Sequence, residues 1–129
     1  MNELTKYQSV RFWILSTLLT SMSQIAHADV ITDWNITARN IVVESKLYTP
    51  PANRVLAIVH TAVYESVNTI TQEYSSSNLS ANADREASVE AAVAAANFTS
   101  LSRLLPSQRN KIEQAYSTAL KLIPNGIAK

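Results

Sequence analysis

The chain has 129 residues, of which 47% are apolar, with 11 basic and 10 acidic side chains, one glycine and no cysteine. The formal net charge of +1 is too small to create the field that draws a protein to nucleic acid or anionic lipid. Without cysteine, disulfides, thiolate chemistry and cysteine-bound zinc are excluded. A single glycine disfavours β-rich architectures, whose turns repeatedly need positive φ, so the composition predicts one all-α domain.

Residues 1–28 have the pattern of a secretory signal peptide. Lys6 and Arg11 precede an apolar run over residues 12–22, and Ala26-His27-Ala28 follows as a small-residue cleavage site. The run is shorter than the roughly 20 apolar residues of a membrane-spanning helix. We therefore expect cleavage after Ala28 and export of residues 29–129 to a bacterial periplasm or the medium, with no stable membrane span.

Two helices are predicted in the first half of the exported region. Over residues 30–45, apolar side chains recur at three- and four-residue spacing, and Asp33, Asn40 and Glu44 lie on the opposite face. Thr49 before Pro50 predicts the N-cap of a second helix over residues 50–69. The polar side chains of this second helix form one narrow stripe, made of Arg54, Thr61, Glu65 and Asn68. A helix with so wide an apolar face is expected to be covered on more than one side.

Two more helices are predicted in the second half. The third, over residues 84–105 with Asp84 or Asn82 as its N-cap, carries small side chains on every side and is expected inside a bundle. Pro106 ends it, Ser107 is placed to cap the fourth helix, and the Pro-Asn-Gly sequence of residues 124–126 ends that helix. The fourth helix has one apolar stripe, made of Ile112, Ala115, Tyr116, Ala119 and Ile123. Its opposite face, which we expect in water, carries Lys111, Gln114, Thr118 and Lys121.

The sequence offers few groups for catalysis. His60 stands at the margin of the apolar face of the second helix, and we expect a core histidine bonded to a neighbour. The residue four positions later is Tyr64, and Glu65 is rotated by about 140°, so no helical metal pair forms. One glycine cannot build a glycine-rich phosphate loop. Glu86 and Glu90, four apart on the third helix, are expected on a solvated face. No catalytic, cofactor-binding or metal residue is therefore assigned.

Six segments of the chain carry patterns that are typical of helix packing and are not catalytic signatures. They are residues 33–35 (Asp-Trp-Asn), 50–51 (Pro-Pro), 54–68, 87–93, 115–116 and 123–129. In this order they resemble the amino-terminal helices of exported vanadium-dependent haloperoxidase-like proteins of the acid-phosphatase (PAP2) superfamily.

The resemblance implies a large all-α enzyme that holds vanadate or phosphate with a Lys, two Arg, a Ser-Gly-His segment and a second His. Such cations and N–H donors stabilise an oxyanion. This sequence has no Ser-Gly-His and no histidine after His60, so no catalytic residue carries over. Vanadate or phosphate is implied only for a full-length relative, and the parent activity, phosphatase or haloperoxidase, stays open.

Two functions follow as expectations. The first is an incomplete helical scaffold region, residues 29–129, whose partners are the missing carboxy-terminal catalytic helices. The alternative is a complete small periplasmic helical module for binding or interaction, with its apolar faces closed internally or by a homodimer partner. Only His60, Tyr64 and Glu65 form a cluster worth testing if the chain is an enzyme by itself.

Overall fold

The computed structural model describes residues 25–75 and 86–123. These residues form four α-helices, α1 (Ile25–Glu44), α2 (Thr49–Thr71), α3 (Val89–Leu104) and α4 (Arg109–Leu122), and a short 3₁₀ turn (Pro106–Gln108). No β-strand occurs in these two ranges, and the prediction of an all-α fold with about four helices is confirmed. Residues 1–24, residues 76–85 with the predicted caps Asn82 and Asp84, and residues 124–129 lie outside the described residues. The expected cleavage point after Ala28 falls within α1, and the signal peptide stays a prediction.

Two buried clusters show that each helix runs antiparallel to the next. At one end, the last turns of α1 and α3 meet the beginnings of α2 and α4, through residues such as Val42, Val59, Leu101 and Ile112. At the other end, the first half of α1 meets the beginning of α3, the second half of α2 and the middle of α4 around Trp34. The chain therefore follows an up-down-up-down path.

Helix α3 lies at the centre of this arrangement and packs against each of the other three helices. Its buried alanines, which include Ala91, Ala94 and Ala96, allow the neighbouring backbones to approach closely. The ring of Phe98 on α3 stacks on Tyr116 of α4, with ring centroids 4.6 Å apart. The prediction that the alanine-rich helix lies inside the bundle is confirmed.

Helix α2 differs from its prediction because only one side of it is covered. Val55, Val59 and Ile70 are buried, whereas Ile58 is 40% exposed and Tyr64 is 46% exposed. Asn68, which we expected in the polar stripe, is buried with only 4% of its surface exposed. The periodicity of the helix gives only the angle of Asn68 around its axis. It does not show that the chain after α2 folds back, so that the backbone of Tyr74 forms hydrogen bonds with the Asn68 side chain.

Three predicted N-caps also need correction. Tyr48, not Thr49, is the N-cap of α2, and its side chain makes no capping hydrogen bond. The two prolines lie in the first turn, where a backbone N–H would have no partner within the helix. Ser88 caps α3, since its Oγ accepts a hydrogen bond from the backbone N–H of Ala91 at 3.0 Å. Ser107 lies within the 3₁₀ turn, so Gln108 is the N-cap of α4.

Candidate functional site

An open groove of about 850 Å³ separates α1 from α4. One face of α1 forms the first wall, with residues at three- and four-residue spacing: Val30, Asp33, Trp34, Thr37, Asn40, Ile41 and Glu44. One face of α4 forms the second wall in the same manner: Lys111, Gln114, Ala115, Thr118, Ala119 and Leu122. We call this feature the α1–α4 groove. It is therefore built from two helical faces.

The groove exists because α1 and α4 both pack on α3 and only barely on each other. Both α1 and α4 bury their apolar stripes against α3. The adjoining faces of α1 and α4 therefore do not meet, and a gap is left between them. Trp34 and Ile41 from α1 are buried beneath that gap, and Ala115 and Ala119 from α4 are half-buried. The floor of the groove is therefore apolar.

The rim of the groove is mainly acidic. Asp33, Glu44 and Glu90 contribute carboxylates and Lys111 contributes one ammonium group, so the formal balance of these four residues is −2. Lys111 Nζ donates a hydrogen bond to Glu44 Oε2, and this ion pair bridges α1 and α4 at one end of the groove. Glu90 Oε2 accepts a hydrogen bond from Ser88 Oγ at 2.9 Å. Such a rim repels oxyanions and attracts cations.

At its other end the groove is bordered by apolar surface. Leu122, in the last turn of α4, is 80% exposed. Val30, near the beginning of α1, lines the same end and is half-buried. Leu122 therefore extends the apolar surface of the groove at this end. Chemically, this site is suited to non-covalent binding of an apolar surface.

A smaller cleft of about 280 Å³ lies between α1 and the carboxy-terminal half of α2, and we call it the His60 cleft. His60, Tyr64 and Tyr74 line it, and the rings of the two tyrosines lie 6.1 Å apart at a tilt of 40°. His60 is exposed, so the prediction of a core histidine is wrong. The reason is that α2 is covered on one side only, which leaves the margin of its apolar face in solvent.

The structure brings together only part of the sequence-derived cluster. His60 and Tyr64 share the cleft, whereas Glu65 does not line it, and Glu73 does. We expected Glu86 and Glu90 on one face of the third helix. Glu86 instead precedes the Ser88 cap and Glu90 is the second residue of α3, so the two carboxylates do not share a helical face. Within residues 25–75 and 86–123, no group of three or more His, Asp or Glu side chains is placed to hold a metal ion.

The sequence predicted that the polar residues of the groove are exposed, but it did not predict the groove itself. Asp33, Asn40 and Glu44 were expected on the wet face of α1, and Lys111 and Gln114 on the wet face of α4, and they are indeed half or fully exposed. Their periodicity gives the face of each helix but not the gap between two helices that are distant in sequence. That gap follows only from the central position of α3.

The fold and the groove together define a class: an all-α protein whose residues 25–75 and 86–123 form four helices with an open interhelical groove. None of the helices described has the length and apolar character needed to cross a bilayer. Comparisons of the chain with protein-family models, with curated proteins and with solved structures found no match.

Proposed function

We propose that this chain is the helical scaffold region of an exported vanadium-dependent haloperoxidase-like protein of the acid-phosphatase (PAP2) superfamily. Its role is to pack against and position the catalytic helices, which lie outside this sequence. The α1–α4 groove is the observation that carries the proposal, because its apolar floor calls for another element to cover it. The sequence segments described above supply the family.

The charges of the site support a scaffold role and oppose an oxyanion site in this chain. Phosphate or vanadate needs converging cations and N–H donors. The rim of the groove carries three carboxylates, and its one ammonium group is engaged by Glu44. The chain also has no Ser-Gly-His segment. We therefore propose that it has no phosphatase or haloperoxidase activity alone.

Two assays test this absence of activity. The full chain, produced in a bacterium that exports it and recovered in folded form, is assayed for phosphate-ester hydrolysis and for vanadate-dependent bromide oxidation. We expect both rates to equal the blank. Turnover above the blank that disappears in His60→Ala, with helical content unchanged, would overturn the proposal and make the His60 cleft an active site.

The reading frame beyond Lys129 tests the scaffold role independently. Downstream Lys, Arg and Ser-Gly-His motifs in the same frame would support it, because those groups supply the oxyanion site. A stop codon directly after Lys129, with no such motifs in the adjacent frame, would contradict it.

The packed core favours a second candidate, a complete small helical module for binding or interaction. Leu101, Ile112, Val59 and Val93 are fully buried although only four helices are described. A module of this kind unfolds in one cooperative step and sediments as one species. The scaffold instead exposes apolar surface that binds a hydrophobic dye, and this difference separates the two functions.

Export is part of the proposal and has its own measurement. We propose that residues 1–28 are removed and that the mature protein lies in the periplasm or the medium. Mass spectrometry of the exported protein is expected to show Asp29 as the first residue. Retention of Met1 in a cell-associated protein would contradict it.

A further inference from the structure

We infer that the α1–α4 groove binds one amphipathic α-helix whose apolar face is flanked by lysine or arginine. This inference rests on the proposed function, under which that helix belongs to the same parent protein. It adds the secondary structure and the charge of the occupant, neither of which the scaffold role specifies.

The length of the groove fits a helix. The α1 wall extends from Val30 to Glu44, which at 1.5 Å per residue is about 21 Å, or nearly four helical turns. Both walls are helical faces, which present side chains and no free backbone groups. An extended segment lying there would leave its own backbone N–H and C=O groups without partners over the apolar floor, whereas a helix satisfies them internally.

The charge of the rim determines which sign of charge is favoured beside the apolar face of the bound helix. Glu44 and Lys111 pair with each other and form a neutral end of the groove. The other two charged residues that line the groove, Asp33 and Glu90, are both acidic. Charges across an interface discriminate between partners, because like charges brought together are costly. A helix with basic side chains beside its apolar face is therefore favoured over one with acidic side chains there.

The same charges argue against a second copy of this chain as the occupant. In a two-fold dimer formed groove to groove, each rim faces the same rim of the partner. Asp33 and Glu90 of both copies, the acidic lining residues outside the Glu44–Lys111 pair, would then approach one another. A helix of opposite charge meets no such cost.

A fluorescence titration tests the inference. Trp34, in the floor of the groove, is the reporter. The chain has one other tryptophan, Trp13, and Trp13→Phe removes its signal from any protein that retains residues 1–28. The probes are two synthetic helices of about four turns with the same Leu/Ala face, flanked by lysine in one and by glutamate in the other. We expect saturable binding of the lysine helix and at least roughly tenfold weaker binding of the glutamate helix.

Variants of the groove complete the test. In the Trp13→Phe background, Asp33→Asn with Glu90→Gln is expected to remove most of the preference for the lysine helix, and Ala119→Arg to abolish its binding. Glu113→Gln is the matched control, since Glu113 is an exposed carboxylate of α4 that does not line the groove. Helical content measured by circular dichroism must be equal in all variants.

Equal affinity for the two helices, or an equal loss in Glu113→Gln, would overturn the charge assignment. Failure of both helices to bind would overturn the inference as a whole, as would self-association that Ala119→Arg abolishes, which would make a second copy the occupant. None of these results depends on the enzyme assays or on the downstream reading frame. The inference and the proposed function therefore fail separately.

Discussion

The side-chain amide of Asn68 pairs with the backbone of Tyr74 through two hydrogen bonds. Asn68 Nδ2 donates to the carbonyl oxygen of Tyr74 at 2.9 Å, and the N–H of Tyr74 donates to Asn68 Oδ1 at 2.9 Å. Between them, Gln72 adopts a left-handed conformation with φ of 53° and ends the helix by donating its N–H to the carbonyl oxygen of Asn68. One buried residue thus folds the segment after α2 back over the end of the helix.

Replacing Asn68 by alanine is expected to destabilise the protein. Asn68→Ala removes both hydrogen bonds and leaves the N–H and carbonyl of Tyr74 without these partners, at a cost of about 1 to 3 kcal/mol. The free energy of unfolding, measured in urea, reports this loss. Contact between the rings of Tyr64 and Tyr74 is expected to weaken as well, because Asn68 holds the Tyr74 backbone.

Asn53→Ala is the matched control, because Asn53 lies on the same helix and is exposed. The same atoms are removed without loss of a buried bond, so the free energy of unfolding is expected to change by less than about 0.5 kcal/mol. Equal effects of the two substitutions would contradict the role given to Asn68.

Substitutions of two serines test the assignment of the N-caps: Ser88 is the observed cap of α3, and Ser107 was the predicted cap of α4. Ser88→Ala removes the hydroxyl that accepts the N–H of Ala91 and is expected to lower the free energy of unfolding by about 1 kcal/mol. Ser107→Ala, at the position that the sequence pattern favours, is expected to have almost no effect because Ser107 lies in the 3₁₀ turn. Urea unfolding of both variants decides the matter, and a larger loss in Ser107→Ala would refute the observed assignment.

The N-caps show which features of the fold can be predicted from local sequence patterns. The spacing of apolar residues predicted the four helices, the stripe of α4 and the interior place of α3, because these features depend on residues within one helix. The caps were mispredicted because serine, threonine and aspartate near a helix start are chemically equivalent candidates. Only the position of the first turn, which packing fixes, selects Ser88.

The candidate site was less predictable than the fold. The α1–α4 groove depends on two helices separated by more than sixty positions in the numbering, from Glu44 to Lys111. No local period reports how far apart such helices lie. The exposure of His60 was missed for the same reason, because helical periodicity gives the angle of a side chain around the helix and not which neighbour covers it.

Substitutions of the adjacent residues Val59 and His60 of α2 test whether His60 is exposed. Val59 is fully buried and His60 is exposed, so Val59→Ala is expected to cost about 2 kcal/mol in the free energy of unfolding. His60→Ala is expected to cost less than about 0.5 kcal/mol. Chemical denaturation of the two variants measures both values. A large loss in His60→Ala would restore the interpretation of His60 as a core histidine.

Ser102 presents the opposite case to Asn68, because its Oγ is buried and has no hydrogen-bond partner in the described part of the chain. A buried hydroxyl without a partner costs stability. Ser102→Ala is therefore expected to raise the free energy of unfolding by about 1 kcal/mol, part of it from the better helix propensity of alanine. Ser100, on the same helix, donates its hydroxyl to the carbonyl oxygen of Ala96 at 2.5 Å.

Ser100→Ala is the control that isolates the hydroxyl of Ser102. Both substitutions gain the same helix propensity, but Ser100→Ala also loses a hydrogen bond. The two variants are therefore expected to differ by about 1 kcal/mol in the free energy of unfolding, with Ser102→Ala the more stable. Thermal and urea unfolding together measure the difference. A loss of stability in Ser102→Ala would mean that its hydroxyl bonds a group outside the described residues or in a bound partner.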